Sequence, residues 1–203
     1  QFFLDKNYGR LKELGILYPR VYMNTFDPKH QWLVRALMTG DVEMLADNFK
    51  SIFFELSENT HTVILSTEGI YNHWNDFSQE SKSFLSEIAD VLDVRFWVWF
   101  REPLSFMNSL YRQNLKNPRI VKPCYGQDVS FSEMLQDDWF KNHLDYIGFI
   151  YEIEGIFKKE NISITKYNGE ITSQVVGRLN MEGLISLDEN ENTSMSDAAI
   201  ELL

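Results

Sequence analysis

Cysteine is almost absent from this chain of 203 residues, and its scarcity limits the chemistry that is possible. The single cysteine, Cys124, cannot form a disulfide within the chain, and no metal-ligand spacing surrounds it. His61, His73 and His143 share no such spacing with acidic or thiol side chains either. These absences exclude a disulfide scaffold, and we predict no metal site. One unpaired cysteine also fits a reducing compartment, so the sequence predicts a cytoplasmic protein.

Long apolar runs are missing too. No stretch approaches the roughly 20 uninterrupted apolar residues that a membrane-spanning helix needs. The first ten residues, QFFLDKNYGR, lack the order of basic, apolar and small residues that marks a secretory signal. We therefore predict a soluble protein with no membrane span. With 44% hydrophobic residues the chain can still bury a full core, which favours one domain over residues 1–203.

Positive charge is the third shortage. The chain has 19 lysines and arginines against 30 aspartates and glutamates, which gives a formal net charge of −11. Nucleic-acid backbones are bound by clustered lysine and arginine, so this balance argues against a nucleic-acid surface. A small anionic ligand remains compatible with it, because a few local cations and a helix N-terminus suffice to bind one.

What the chain does contain is an alternation of helical and strand patterns. Three β-rich runs predict strands: TVILS at 62–66, VRFWVWF at 94–100 and ISITKY near 162–167. Apolar residues at helical spacing predict helices over about 1–14, 30–39, 41–57, 78–92, 103–116, 130–141, 143–160, 170–182 and 196–203. Asp41 is suited to cap the third of these, whose apolar stripe consists of Met44, Leu45, Phe49, Ile52, Phe53 and Leu56. Residues 117–129 hold two prolines and a glycine and predict a loop. Continuous apolarity favours strands of a parallel sheet, so we predict an α/β fold, a three-layer αβα domain with a mainly parallel sheet.

Polar residues follow two of the predicted strands. Ligands of open parallel sheets bind beyond the carboxyl ends of the strands. The first strand is followed by Ser66, Thr67 and Glu68, and the second by Arg101 and Glu102. An arginine there offers a fixed fork of donors to a phosphate or carboxylate, beside the positive end of a helix dipole. These two strand ends are the candidate functional positions.

The helix predicted over 103–116 has two distinct faces. One face is polar and carries Ser105, Ser109, Arg112 and Lys116 at i, i+4, i+7 and i+11. The other is apolar, is suited to the core, and carries Leu104, Met107 and Tyr111. Exposure to water explains the polar face as far as periodicity alone can decide.

A resemblance gives that polar face a second interpretation. FREPLSFMNSLY follows a buried strand and places Arg101 eight positions before Ser109 and ten before Tyr111. This spacing resembles the 3′-phosphate-binding motif of the P-loop sulfotransferases. The resemblance implies a P-loop NTPase-like fold in which Arg101 and Ser109 bind the 3′-phosphate of the donor 3′-phosphoadenosine 5′-phosphosulfate (PAPS), with no metal required.

Other segments resemble a bacterial branch of the same family in the same order. QFFLDKNYGRLKELGILYP is similar to the helix and turn that follow the family's first phosphate loop, and VILSTE to a strand that carries a Ser-x-Glu. LDYIGFIYEIEGIFKKENISITKY resembles a later helix and strand, and NTSMSDAAIELL a polar turn and helix near the end. The order of these matches covers nearly all 203 residues.

The resemblance also implies a missing part. In the family a strand and a glycine-rich loop of the Lys-Thr-Gly-Thr-Thr kind come immediately before the segment that resembles Gln1 onward, and they bind the 5′-phosphosulfate. This sequence begins at Gln1, and its end at Leu203 is abrupt. We therefore expect an N-terminally truncated fragment, with further residues at both ends, in which half of the donor site is absent.

Two side chains are candidates for the base that removes a proton from the sulfate acceptor. Glu68 comes just after a strand end, and the resemblance places it near the acceptor; a helix cap or a salt bridge explains it equally well. His30, in DPKHQWLVRAL, matches a histidine of the bacterial branch, and an imidazole can act as a base at neutral pH. A surface or capping role is its alternative. Trp32, Tyr71 and Trp74 are candidates for the wall of an acceptor cleft, or for the core.

These features predict a PAPS-dependent sulfotransferase that modifies a hydroxyl or amine of a carbohydrate or other small metabolite. Two alternatives stay open. A nucleotide-dependent kinase on a related fold would need a magnesium-binding carboxylate after a strand. A non-catalytic binding protein would keep the fold without the donor site, and the missing phosphate loop favours it.

Overall fold

A computed structural model describes residues 1–21, 29–116 and 130–181 of the chain. The strands are β1 (Ile16–Leu17), β2 (Thr62–Val63), β3 (Phe96–Phe100) and β4 (Ile162–Lys166). The helices are α1 (Phe2–Lys6), α2 (Tyr8–Glu13), α3 (Gln31–Thr39), α4 (Val42–Glu55), α5 (Gly69–His73), α6 (Gln79–Val91), α7 (Pro103–Lys116), α8 (Phe131–Met134), α9 (Asp138–Asn142), α10 (Tyr146–Glu154) and α11 (Ile171–Arg178). Short 3₁₀ turns span Trp74–Asp76 and Lys159–Asn161.

The described strands form two small sheets of two strands each. β1 pairs with β2 in parallel, with Ile16 opposite Thr62 and Leu17 opposite Val63. β3 pairs with β4 in the second sheet, which is also parallel. The mixed helix and strand content is therefore compatible with the predicted α/β class, and the predicted parallel pairing is observed within two small sheets of two strands each. β1 was not predicted, because two residues are too short to show an alternating pattern.

The described chain divides into two compact units. The first contains Gln1–Val98, Ile147–Ser163 and the described residues from Glu170 onward. Part of its core joins α1, α2, β1 and α11, and consists of Phe3, Leu4, Leu11, Ile16, Tyr18 and Met181. α3 is buried along most of its length and packs against α4, α5 and α6.

The second unit contains Trp99–Tyr146 and Ile164–Gly169 among the described residues. Its core is formed by one face of α7 together with α8 and α9, through Met107, Leu110, Met134 and Phe140. Aromatic rings surround this cluster: Phe106, Tyr111, Phe131 and Trp139. A helical face that repeats every three to four residues buries this side of α7 and leaves its opposite side to solvent.

Several helices begin at a residue whose side chain caps the helix. The Asp41 carboxylate accepts a hydrogen bond from the Met44 backbone N–H at 2.9 Å, which confirms the predicted cap of α4. The Ser78 hydroxyl caps α6 in the same way, and Ser130 with Glu133 forms a capping box at α8. Gly15, which follows α2, has a φ of 75°, a value that favours glycine.

Three predicted helices are shorter or broken in the structure. The helix expected over 1–14 is interrupted at Asn7, whose side-chain N–H and backbone N–H both donate to the Phe3 carbonyl, at 2.9 and 3.1 Å. The helix expected over 130–141 is two helices, because Asp137 caps a new one by accepting from the Trp139 N–H. The helix expected over 143–160 ends at Glu154.

Some predicted burial is also wrong. Leu104 was assigned to the core face of α7, yet its side chain is 60% exposed, because the residues that α7 buries in the second core are Met107 and Leu110, three and six positions further along the helix. Phe53 and Leu56, expected in the apolar stripe of α4, are exposed. Each of the five β3 residues is partly exposed, so this strand is not fully covered on either face.

No helix in the described ranges is long and apolar enough to cross a membrane. Cys124, the loop predicted at 117–129 and the helix predicted at 196–203 lie outside the described residues.

Candidate functional site

In the first unit, β1 and β2 run in parallel, so their carboxyl ends meet at one edge of the sheet. The pairing continues one residue further, since the Ile64 N–H donates to the Leu17 carbonyl at 2.9 Å. The chain after β1 passes through Tyr18 and Pro19, and the chain after β2 passes through Ser66 to Glu68. This edge therefore brings the predicted residue Glu68 close to the segment that follows β1.

His30 joins the two segments at this edge. Its side chain is fully buried, at 0% exposure. Nε2 lies 2.9 Å from the Pro19 carbonyl oxygen, and Nδ1 lies 3.0 Å from the Ser66 backbone nitrogen. The His30 backbone N–H also donates to the Ser66 carbonyl at 3.1 Å. Both ring nitrogens of the predicted base are thus engaged with backbone groups of the protein.

The Pro19 oxygen can only accept, so Nε2 of His30 carries a proton. Nδ1 lies 3.0 Å from the Ser66 nitrogen and 3.2 Å from the Ser66 carbonyl oxygen. Burial lowers the pKa of His30 below its usual 6.5, and the hydrogen bonds to Pro19 and Ser66 oppose part of that shift. The ring is therefore uncharged at neutral pH.

Glu68 is the accessible carboxylate of this edge, with a side chain that is 62% exposed. Its Oε1 accepts a hydrogen bond from Lys29 Nζ at 2.7 Å, which forms the salt bridge expected as one alternative. Glu68 stands at the N-cap position of α5, but its side chain makes no capping bond. The Gly69 N–H is bonded to the Thr67 hydroxyl instead. The carboxylate is therefore oriented by a lysine and open to solvent.

The three aromatic candidates have packing partners. Trp32 is 7% exposed and meets Phe49 edge to face, which places it in the core. Tyr71 and Trp74 both contact the ring of Phe149, with centroids 5.0 and 6.2 Å away. Trp32 is therefore a core residue, whereas Tyr71 and Trp74 are only partly buried.

In the second unit, Arg101 lies just after β3. Its guanidinium stands over the Tyr167 ring, 4.5 Å from the centroid. Its carbonyl oxygen accepts a hydrogen bond from the Tyr146 hydroxyl at 3.0 Å. A cleft of about 370 Å³ opens beside it, lined by Phe100, Arg101, Glu102, Pro103, Ile164, Thr165 and Lys166. Both ends of Arg101 are thus held at the carboxyl ends of a parallel strand pair, as the sequence predicts for a ligand-binding position.

Glu102 is the N-terminal cap of α7. Its two carboxylate oxygens accept the backbone N–H groups of Leu104 at 3.1 Å and Ser105 at 2.8 Å. The bonds from Ser105 and Leu104 lower the pKa of Glu102 below its usual 4.5, with a smaller contribution from Lys166. A carboxylate therefore already satisfies the backbone donors that a helix N-terminus offers to an anion.

Ser109 lies on the exposed face of α7. It is six residues beyond Pro103, which corresponds to about 9 Å along the helix axis. Ser105 and Lys116 share its exposure, and Arg112 is partly buried. The predicted polar face of α7 is confirmed.

The four predicted site residues are divided between the two units. His30 and Glu68 belong to the edge of the first unit, and Arg101 and Ser109 belong to the second unit. The sequence-based reasoning missed Lys29, Lys166 and Tyr167. Lys166 and Tyr167 close a strand that was predicted, so the strand-end argument could have identified them. Lys29 precedes α3, and its sequence position carried no such signal.

Searches of protein-family models, of curated proteins and of solved structures found no match to this chain. Within the described ranges, no group of three or more histidine, cysteine, aspartate or glutamate side chains is placed to hold a metal ion.

Proposed function

We propose that this chain is a PAPS-dependent sulfotransferase of the P-loop type, with a three-layer αβα architecture. The proposed reaction transfers a sulfuryl group to a hydroxyl or amine of a carbohydrate or other small metabolite. One observation carries the proposal. Arg101 is held at the carboxyl end of a parallel strand, immediately before a helix whose exposed face carries Ser109.

Arg101 is suited to bind a phosphate because it is pre-ordered. The Tyr167 ring supports its guanidinium, and the Tyr146 hydroxyl holds its carbonyl oxygen. A side chain already fixed in place loses little conformational entropy when a ligand arrives, and the guanidinium fork matches two phosphate oxygens. In the proposal Arg101 and the Ser109 hydroxyl bind the 3′-phosphate of the donor.

The charges around Arg101 shape what it can bind. Glu102 occupies the backbone donors of Leu104 and Ser105, so these amides are not assigned to the phosphate. Lys166 lines the same cleft as Arg101 and adds a second positive charge. We therefore assign phosphate recognition at this position to side chains rather than to the helix terminus.

We assign the role of base to Glu68. A bound PAPS would supply the sulfuryl group, and the base has to remove the proton of the acceptor as the new bond forms. Glu68 is exposed and oriented by Lys29, so an acceptor can reach it. His30 is fully buried with both ring nitrogens engaged, and the proposal therefore gives it no proton to transfer.

The test is calorimetric titration of the chain with adenosine 3′,5′-bisphosphate. Arg101→Ala should weaken binding about 10- to 100-fold, because charge-assisted hydrogen bonds contribute about 1.5–3 kcal/mol. Arg95→Ala is the matched control, since Arg95 precedes the same strand, is 67% exposed and pairs only with Asp93 in the contacts observed. Ser109→Ala should weaken binding less than Arg101→Ala. No binding, or equal affinity in the Arg101 and Arg95 variants, would contradict the proposal.

A non-catalytic binding protein is the second candidate, and the position of Glu102 favours it. A carboxylate that occupies the first amides of α7 lowers the positive potential available to a donor anion. The two candidate functions differ in whether the chain transfers sulfate to an acceptor. Transfer of labelled sulfate from PAPS to an acceptor, lost in Glu68→Gln, supports the enzyme, whereas nucleotide binding without any transfer supports the second candidate.

A further inference from the structure

One asparagine of the chain is followed directly by a glycine: Asn168 precedes Gly169. The two residues lie after the end of β4 and before the start of α11, outside any helix or strand, and both are exposed. Gly169 has a φ of 89°, which side chains of L-residues rarely adopt. A Cβ atom on Gly169 would meet no heavy atom within 4 Å other than its chain neighbours. The Asn-Gly step is therefore open to solvent and free of steric crowding.

An open Asn-Gly step permits a reaction between a side chain and the main chain. The side-chain carbonyl carbon of an asparagine can form a five-membered ring with the backbone nitrogen of the next residue, and asparagine side chains readily approach neighbouring backbone groups. A side chain on the next residue crowds that nitrogen, whereas glycine has none. In a helix the same nitrogen is hydrogen-bonded to an earlier carbonyl and the backbone is fixed, so ring closure is hindered.

Other asparagines of the chain lack this combination. Asn48 lies within α4 and is 3% exposed, and Asn108 lies within α7. Asn59 is exposed and lies in a turn, but the next residue is the β-branched Thr60. Asn59 therefore matches Asn168 in exposure and irregular backbone and differs in its neighbour, which makes it an internal comparison.

We propose that Asn168 is a site of non-enzymatic deamidation. The Gly169 nitrogen, after losing its proton to a solvent base, attacks Cγ of Asn168. The new N–Cγ bond forms as the bond from Cγ to the side-chain nitrogen breaks, and that nitrogen takes a proton and leaves as ammonia. Water then opens the succinimide ring. Attack at Cγ gives aspartate, and attack at the main-chain carbonyl gives isoaspartate, with no change in oxidation state.

The product adds a negative charge close to the Arg101 cleft along the chain. Asn168 directly follows Tyr167, whose ring lies 4.5 Å below the Arg101 guanidinium, and it is two residues from Lys166, which lines the cleft. An added carboxylate there lowers the potential that attracts an anion. This effect on ligand binding rests on the proposed function, in which Arg101 binds a phosphate. The deamidation itself rests only on Asn168 and Gly169.

Peptide mass spectrometry tests the deamidation. The folded chain is incubated at pH 6 and at pH 8.5 and then digested with trypsin, which cleaves after Lys166 and Arg178 and releases a peptide whose only asparagine is Asn168. We expect Asn168 to convert about tenfold or more faster than Asn59, because Thr60 crowds its own nitrogen and Gly169 does not. Conversion should be faster at pH 8.5 and should yield both aspartate and isoaspartate.

Two variants locate the reaction. Gly169→Ala places a methyl group beside the attacking nitrogen and should slow conversion of Asn168 severalfold. Because alanine is strained at the φ of Gly169, Asn168→Gln is the second variant. It keeps the amide and the glycine but requires a six-membered ring, so position 168 should stay unmodified over the same incubation. Conversion of Asn59 should be unchanged in both variants.

The effect on the cleft is measured by titration with adenosine 3′,5′-bisphosphate at low ionic strength. Asn168→Asp, which carries the charge of the aspartate product, should bind about two- to fivefold more weakly than the unmodified chain, the range expected for one exposed charge. The incubated wild-type chain should weaken similarly, whereas incubated Asn168→Gln should keep its affinity.

Three results would overturn the deamidation proposal: conversion of Asn168 no faster than that of Asn59, conversion at equal rates at pH 6 and pH 8.5, or aspartate without isoaspartate, since direct hydrolysis forms no ring. None of these measurements uses a nucleotide. A chain that deamidates but never binds adenosine bisphosphate counts against the proposed function alone. Equal affinities of the unmodified chain and Asn168→Asp count against the effect on the cleft.

Discussion

The segments that follow β2 and β3 both contain a glutamate, but the two glutamates make different contacts. Each places a glutamate directly before a helix, Glu68 before α5 and Glu102 before α7. At the first end the glutamate makes no cap, and a buried histidine holds the backbone. At the second the glutamate binds two backbone N–H groups of the helix.

Helix length gives a physical reason for the difference. α5 has five residues and α7 has 14, so the aligned peptide dipoles and free amides at the start of α7 attract a carboxylate more strongly. A strand followed by a glutamate and a helix therefore does not define a site by itself. After β2, the buried His30 joins the Pro19 and Ser66 backbone, a contact called the His30 joint below, and the Glu68 carboxylate is accessible. After β3, Arg101 lines a cleft that is open to solvent.

The largest change in the free energy of unfolding is expected when the His30 joint is removed. His30→Ala removes a fully buried ring, leaves the Ser66 N–H without its partner and creates a cavity, so the free energy of unfolding should fall by about 3 kcal/mol. His61→Ala is the matched control, because that exposed ring also bonds backbone and should cost less than about 1 kcal/mol. Urea denaturation at pH 7.5 measures both. Equal losses would show that the joint has no special role.

The same joint should make stability depend on pH. The folded-state pKa of His30 is lowered, so its contribution is complete above about 6.5 and decreases as the pH falls below that value. The difference between the wild-type chain and His30→Ala should therefore shrink on acidification.

Replacing a buried polar side chain of the second unit is expected to raise the free energy of unfolding, whereas replacing His30 lowers it. Asn114 of α7 is 1% exposed, and neither polar atom of its side-chain amide has a hydrogen-bond partner among the residues that the structure describes. Asn114→Leu should raise the free energy of unfolding by about 1 kcal/mol, since an unpaired buried amide is replaced by an apolar group of similar size. Asn7→Leu should lower it, because that buried amide donates to Phe3. A stability loss in Asn114→Leu would show that its amide is used.

The smallest effect is expected for the two glutamates. Glu102→Ala should lower the melting temperature more than Glu68→Ala, because Glu102 caps a long helix whereas Glu68 makes one exposed ion pair. The lowered pKa of Glu102 means that its contribution is present above about 4.5 and is lost as the pH falls further. Thermal unfolding at pH 7 and pH 3 checks this, and an unchanged difference at pH 3 would contradict it.

The sequence predicted the parts of this structure that depend on local chemistry. The Asp41 cap, the start of α7 at Pro103 and the strand at ISITK all follow from short-range rules. The polar face of α7 was predicted from the helical spacing of its polar residues. The breaks at Asn7 and Asp137 were missed, because side chains of this type favour helices or interrupt them according to which backbone group they reach.

The long-range contacts could not be predicted. His30 appeared as a candidate base or a surface residue, and nothing local shows that Pro19 and Ser66 approach its ring from distant positions. The ion pair of Lys29 with Glu68 joins residues 39 positions apart, and it could not be predicted for the same reason. The stacking of Arg101 on Tyr167 depends on the pairing of β3 with β4, which a single sequence does not reveal.

The central claim is that Arg101 binds a 3′-phosphate, and the most direct measurement compares two ligands that differ only in where the phosphate is attached. Titration with adenosine 3′-monophosphate and adenosine 5′-monophosphate gives the ratio of their dissociation constants. We expect a preference for the 3′-isomer of about tenfold, lost in Arg101→Ala and retained in Arg95→Ala. Equal affinities for the two isomers, or a preference that survives Arg101→Ala, would contradict the claim.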